Sequence, residues 1–299
     1  MQATDSEPRD SLSAERFVPA VRQARAFMED IQMTTNEAIT RDRLLAAYDA
    51  QLRTDTETTI AITVTSLGPL RLATFIGGRG FITYRDLGNA TAEAIRLLIP
   101  EALGYYRSDP AIEQVEWKTR GHDDAPGLSE ALTEYGFTPD EAESIMIGDA
   151  MALAGDVPVP EGVTVRQVTS EADVRAMSAM QDEVFGDPVS DQTANDILQR
   201  LSVADGMQLW IGETSGEIVT AGRLDPIKDS DFAGIWGGAT RPEWRGRGIY
   251  RAVTAARARA AIALGKTLIH SDSTEYSRPI LERSGMVAVS TTTPYRWRK

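Results

Sequence analysis

The sequence predicts an α/β protein made of two successive halves that follow one plan, and three observations lead there. Residues 153–162 carry Gly155, Pro158, Pro160 and Gly162 without any helical period, which marks a linker. On either side of it, alternating strand patterns and amphipathic helix patterns recur in the same order. At an offset of 149 residues, Leu132, Gly136 and Phe137 fall on Leu281, Gly285 and Met286. Together with the shared order these matches read as an internal duplication. The competing reading is one α/β unit with generic alternation.

In the first half, Phe17, Val21, Ala24, Met28 and Ile31 lie at helical spacing, as do Leu44, Leu45, Tyr48 and Leu52. "TTIAITVTS", "PLRLATFIG" and "GFITYRDL" read as a strand meander turning at "LG" and "GGRG". The helix "ATAEAIRLLIPEALGYY", the strand "IEQVEWKTRG", the helix "GLSEALTEYG" and the strand "AESIMIG" complete it.

In the second half, "VTVRQVT" opens as a half-buried strand, and Ser170 with Asp173 forms a capping box ahead of a helix faced by Met177, Met180 and Val184. Three strands follow, "MQLWIGET", "EIVTAGRLDP" and "FAGIWGGAT", the first two joined at Ser215-Gly216. A helix with Ile249, Val253, Ala256 and Ala260 on one stripe ends at Gly265. The strand "TLIHSDS", the helix "SRPILERSG" and the strand "VAVSTTTPYRW" close the chain. The first half shows no counterpart of the opening strand. The expected organisation is a flexible tail at 1–12, a first domain at 13–152, the linker at 153–162 and a second domain at 163–299.

Composition narrows the chemistry. The chain has 299 residues and a formal net charge of −13, which argues against a nucleic-acid binder, whose footprint is basic. It has no cysteine and only two histidines, so disulfides, thiolate chemistry and an imidazole-rich metal site are excluded, and no metal is expected. No apolar run approaches the ~20 residues that cross a bilayer. The polar N-terminus lacks the pattern of a secretory signal, so a cytoplasmic protein without membrane partners is expected.

Against this acidity, "RPEWRGRGIYRAV" at 241–253 places four arginines at the start of a helix. The helix dipole makes that end positive, so arginines there are unfavourable until an anion neutralises them. Free backbone N–H groups at the helix start, Gly246 and Gly248 without a Cβ, and the guanidinium forks of Arg245 and Arg247 all suit phosphate oxygens. The plain alternative is a solvated basic loop with glycines for its turn.

The segment "TRPEWRGRGIYRAV" resembles the acyl-CoA pyrophosphate loop of the GNAT acetyltransferase superfamily, R/Q-x-x-G-x-G/A, with Arg245 and Gly248 in place and Tyr250 where the family has a small residue. The similarity extends over 163–297 in element order. The first half resembles a degenerate second copy, because its "RDLGNATAEAI" has no such loop, and the layout is similar to that of tandem members such as mycothiol synthases. The resemblance implies two tandem GNAT-like domains, each a mixed, mostly antiparallel sheet flanked by helices. It implies acetyl-CoA as co-substrate, held by Gly238, Ala239 and Thr240 at the pantetheine arm and by Arg245, Gly246, Arg247, Gly248, Ile249 and Tyr250 at the diphosphate. Thr274 and Ser277 lie near that arm. The acceptor is an amine of a small molecule or peptide, the first half shapes the substrate cleft or an interface, and the chain is a monomer or homodimer.

Leu281 occupies the position of the family's general-acid tyrosine. Tyr276 is the nearest substitute, with Tyr250 a second. His270 and Asp272 alternate onto one strand face and suit a base with its orienting partner, although a strand histidine is more often structural. Asp231 and Glu213 are further base candidates, and a water-relayed proton needs none of them. His122, Asp123 and Asp124 read as a solvated loop. Trp236, Trp244 and Trp297 read as packing groups, Trp244 also as a wall of the CoA groove. A non-catalytic acyl-CoA-binding or structural protein is the alternative function. A nucleotide-binding module fits "RGRG" poorly.

Overall fold

The computed structural model describes residues 40–53, 55–203 and 205–299. The helix read at 13–31 and the tail at 1–12 lie outside them. Leu45–Lys299 form one compact unit that contains both series of elements.

Helix α1 (40–51) precedes the first strands. The meander is β1 (Thr63–Leu67), β2 (Leu70–Phe75) and β3 (Arg79–Tyr84). β1 begins five residues later than the alternation suggests, because Asp55–Thr58 take a 3-10 turn instead. Then come α2 (Ala92–Arg107), β4 (Gln114–Arg120), α3 (Leu128–Glu134), the two-residue β5 (Thr138–Pro139) and β6 (Glu143–Asp149). A one-turn helix α4 (Ala150–Leu153) leads into the linker. The second series is β7 (Val163–Val168), α5 (Glu171–Phe185), α6 (Gln192–Ser202), β8 (Gln208–Thr214), β9 (Glu217–Pro226) and β10 (Phe232–Thr240). It ends with α7 (Ile249–Ala263), β11 (Leu268–Ser273), α8 (Arg278–Arg283) and β12 (Val287–Arg298). The capping box at Ser170 forms as expected, its hydroxyl accepting the Asp173 N–H at 3.1 Å. Helix α6 is absent from the sequence reading, although Ala194, Ile197, Leu198 and Leu201 stand at helical spacing.

The two series join in one sheet of order β1-β2-β3-β4-β12-β6-β11-β10-β9-β8-β7, with β5 on β12. The last strands are exchanged. β12, from the second series, pairs with β4 of the first, and β6, from the first, pairs with β11 of the second. β6 and β12 pair antiparallel at the centre. Each series also contains one parallel pair, β3 with β4 and β10 with β11, that opens after its first few residues.

One face of the sheet is covered by α2 and α3 over the first series and by α4, α7 and α8 over the second. Their cores run from Leu70, Ile82, Ile99 and Trp117 to Ile235, Ala258, Ile269 and Leu281. The other face carries α5 and α6 around Met177, Ile197, Leu209 and Ala221. At its centre α1 lays Tyr48 edge-on to His270 of β11, and Gln51 bonds both the carboxylate and the N–H of Asp231. Asp231 therefore anchors α1.

The repeat read at 149 residues has a physical counterpart. Both α3 and α8 end in a left-handed glycine, Gly136 at φ 88° and Gly285 at φ 98°. In both, the next N–H returns to the helix, Phe137 to Leu132 O and Met286 to Leu281 O, each at 3.0 Å. This is one helix-closing motif written twice, with its apolar contact. A Cβ would meet nothing closer than 3.8 Å at Gly136 or 4.0 Å at Gly285, so only the backbone conformation opposes a side chain. Gly136→Ala and Gly285→Ala are each expected to cost about 1–2 kcal/mol. Urea unfolding of the two variants should give similar losses; a neutral substitution at either position would separate the two motifs.

Candidate active site

The second series brings a bulged strand, a glycine-rich helix start and an opened parallel pair to one place. β10 and β11 pair only from Phe232↔Leu268 to Gly234↔His270, so among the described residues no strand lies beside the β10 edge beyond Gly234. On its other side, the register with β9 shifts between Trp236 and Ala239, leaving Gly237 and Gly238 opposite Gly222. Gly237 sits at φ 61° and its carbonyl accepts the Gln181 amide of α5 at 2.5 Å, which pins the bulge from the far face. A lone helical glutamine gives no signal of this role in sequence.

β10 runs through Thr240 into a 3-10 turn, Pro242–Trp244, and then into "RGRG". Gly246 at φ 74° and Gly248 at φ 82° take the conformation that glycine alone adopts freely. Gly248 is the N-cap of α7 and offers no side-chain cap. Among the described residues, no carbonyl accepts a backbone hydrogen bond from the N–H groups of Gly246 through Tyr250. They form a concave cluster of donors at the positive end of a helix. Arg241 is spent on Glu183 and Glu217. Arg245 donates to Thr240 O at 3.1 Å, and Arg247 stacks 4.6 Å over Trp244, which itself packs on Val163, Val219 and Ile249. Among the described residues Arg245, Arg247 and Arg251 enter no ion pair. Ile249 is buried beneath the loop, and Tyr250 lies on Gly238, where a Cβ would fall 2.7 Å from its ring.

The first series lacks these parts. α2 is capped by its own Thr91, which accepts the Ala94 N–H at 3.3 Å, and has Glu93 in its first turn. Its opened pair is filled by Arg53, which donates to Tyr84 O at 2.9 Å and pairs with Asp123. His122 is held between Ser290 at 2.7 Å and Asp49 at 3.0 Å. Within "GHDD", Gly121 and Asp124 are exposed as a solvated loop would have them, whereas His122 and Asp123 are not. Asp123 is drawn in because the Arg53 guanidinium, buried itself, requires a counter-charge, and His122 follows on its own bonds to Asp49 and Ser290. Among the described residues no group of three or more His, Asp or Glu is arranged to hold a metal ion.

The remaining candidates fall in three places. Thr274 and Ser277 stand together beyond β11, their hydroxyls 3.3 Å apart, with Ser273 3.1 Å from Ser277. Tyr276 beside them is 79% exposed. His270 and Asp272 do share a face, but no hydrogen bond joins them: both ring nitrogens of His270 are without a partner. The imidazole is enclosed edge-on by Tyr48, Phe232 and Trp236. Asp272 bonds Lys118 of β4 at 2.8 Å. Burial opposes both charges, but Lys118, His270 and Arg120 together hold the carboxyl below its ordinary range, and Asp272, Tyr48 and Glu57 together hold the ammonium above its own. Glu213 pairs with Arg166. Leu281 is buried in the core, and Trp297 is buried under Arg107, 5.1 Å from its ring.

No protein-family model matches the chain, and no curated protein does. Solved structures match it. A GCN5-related N-acetyltransferase from Kribbella flavida is 17% identical, with TM-score 0.58 over 78% of this chain and 88% of its own. One from Sphaerobacter thermophilus is 18% identical, with TM-score 0.56 over 77% of this chain and 76% of its own. A tandem GNAT protein from the clavulanic acid biosynthesis pathway is 13% identical, with TM-score 0.55 over 77% of this chain and 78% of its own. Such likeness defines the fold: two GNAT-like α/β halves in tandem, as the sequence predicts.

Burial pushes the His270 imidazole from its ordinary 6.5 down to about 4. Between those values the unfolded chain holds a proton on this residue that the folded chain does not, so stability falls as pH drops through that window. The full effect is roughly 3 kcal/mol. Urea unfolding across this range should show His270→Leu losing less stability than the wild type, and parallel curves would refute the assignment.

Proposed function

We propose that the chain is an N-acetyltransferase that moves an acetyl group from acetyl-CoA to an amine of a small molecule or peptide. The helix start at Gly246–Tyr250 carries this reading, with N–H groups that find no carbonyl and arginines that find no ion-pair partner among the described residues, beside the opened edge of β10. An anion there satisfies both, and the diphosphate of CoA has the right charge and size. Gly238, Ala239 and Thr240 then offer backbone groups to the pantetheine arm along an edge that no strand occupies among the described residues. Thr274 and Ser277 lie between β11 and α8, just past the end of the strand that pairs with β10.

The amine attacks the thioester carbonyl directly. Backbone N–H groups of the bulge near Ala239 stabilise the oxyanion, fixed in place by Gln181. Tyr250, lying on Gly238, is the phenol nearest the bulge and protonates the departing sulfur. The amine proton leaves through water; His270 is enclosed by rings and Asp272 is engaged by Lys118, so the transfer does not route through them.

A second reading is a non-catalytic acyl-CoA binder, favoured by the buried Leu281 where the family places its acid. Calorimetric titration with acetyl-CoA, followed by thiol release against an amine panel, separates the two. Binding with turnover is expected. Binding without turnover on any amine leaves the second reading, and no binding overturns both. Each charge-assisted contact to an anion is worth about 1.5–3 kcal/mol, so Arg245→Ala with Arg247→Ala should weaken acetyl-CoA binding by roughly 100-fold. Unchanged affinity would move the diphosphate elsewhere.

A further inference from the structure

Arg257 of α7 is 1% exposed and stands in the middle of the helix face that packs on the sheet. Its guanidinium reaches only neutral groups. Nε faces Val253 O at 3.4 Å, Nη1 faces Arg223 O at 3.3 Å and Nη2 donates to Thr254 Oγ1 at 3.1 Å. Among the described residues no carboxylate pairs with it, and Tyr250 is the one ionisable group that acts on it. Arg223 and Asp225 of β9 pair with each other on the opposite face of the sheet.

Two glycines make this arrangement possible. A Cβ at Gly222 would lie 2.5 Å from Arg257 Nη1, and one at Gly238 would lie 2.9 Å from the Tyr250 hydroxyl. Gly222 is directly opposite the bulge that contains Gly238. The guanidinium and the phenol therefore lie side by side beneath the bulge. Thr254 links them further, accepting from Arg257 and donating to Tyr250 O at 3.0 Å.

A guanidinium keeps its charge even where burial disfavours it, and a buried charge without a counter-ion is costly. In the reaction proposed above, negative charge appears beside the bulge when the C–S bond breaks. We propose that Arg257 is a positioning residue that holds Tyr250 on the bulge and supplies the counter-charge for the proton transfer from its phenol to the CoA sulfur. The amine nitrogen bonds the carbonyl carbon and the C–S pair goes to sulfur. The phenol proton follows to sulfur, and the tyrosinate left beside Arg257 recovers a proton released by the amine through water.

This inference rests on the acetyl-CoA reading, and the experiment separates the two. Affinities for CoA and for acetyl-CoA are measured across neutral and mildly alkaline pH. Acetyl-CoA has no thiol, so it reports binding alone. If the site shares one negative charge between sulfur and phenol, CoA gains on acetyl-CoA by up to about tenfold per pH unit below the thiol's ordinary range. That gain should vanish in Arg257→Met and in Tyr250→Phe, and return in part in Arg257→Lys. A flat CoA to acetyl-CoA ratio in the wild type, or an unaltered gain in both Arg257→Met and Tyr250→Phe, overturns the role of Arg257. Failure of acetyl-CoA to bind overturns the parent reading instead.

Discussion

Exchange of the last strands is the constraint on which the rest of the architecture depends. β4 and β11 would each be left with an open edge, since each has a parallel neighbour on one side only. A central edge with unpaired N–H and C=O groups is costly when buried and adhesive when exposed. Crossing β12 to β4 and β6 to β11 satisfies both edges, and pairing β6 with β12 merges the two series into one sheet. Neither series can then close its sheet without the other.

That seam also decides where charge is buried. Lys118 comes from the first series and Asp272 from the second, and they meet beneath α1 on the central face. Arg120 pairs with Glu57 close by, and its neighbour Thr83 bonds the same carboxylate. Water is excluded by Tyr48, which is buried against His270. Such pairs add little net stability, yet losing one partner leaves the other stranded, so they fix how the two series match.

The two copies differ at the same structural point. In the second, the pair β10–β11 opens onto a helix start with free donors. In the first, Arg53 occupies the opening and Thr91 caps the helix. One fold thus has one helix start left open and one closed by the chain's own side chains. On the open side the buried cation is Arg257, which among the described residues has no carboxylate partner, whereas Arg53 on the closed side has Asp123.

The sequence determined the local parts on its own. Strand alternation located β8 to β12, the Ser170 box placed α5, and the "RGRG" loop with its glycines was legible because left-handed φ and exposed arginines are written in residue type. The repeat showed in Leu132, Gly136 and Phe137 because helix closure is local. Helix α6 was missed although Ala194, Ile197, Leu198 and Leu201 stand at helical spacing, so its signal was present in the sequence. Arg257 had a sequence signal, since it lies seven residues after Tyr250 on one helical face, but an arginine on a stripe reads as snorkelling unless Gly222 is known to receive it. The enclosure of His270, the pairing of Asp272 with Lys118 and the capture of His122 all arise between residues more than thirty positions apart. Only tertiary structure decides these, because which strand lies beside which is set by edge satisfaction across the whole sheet, and periodicity within one segment carries no record of it.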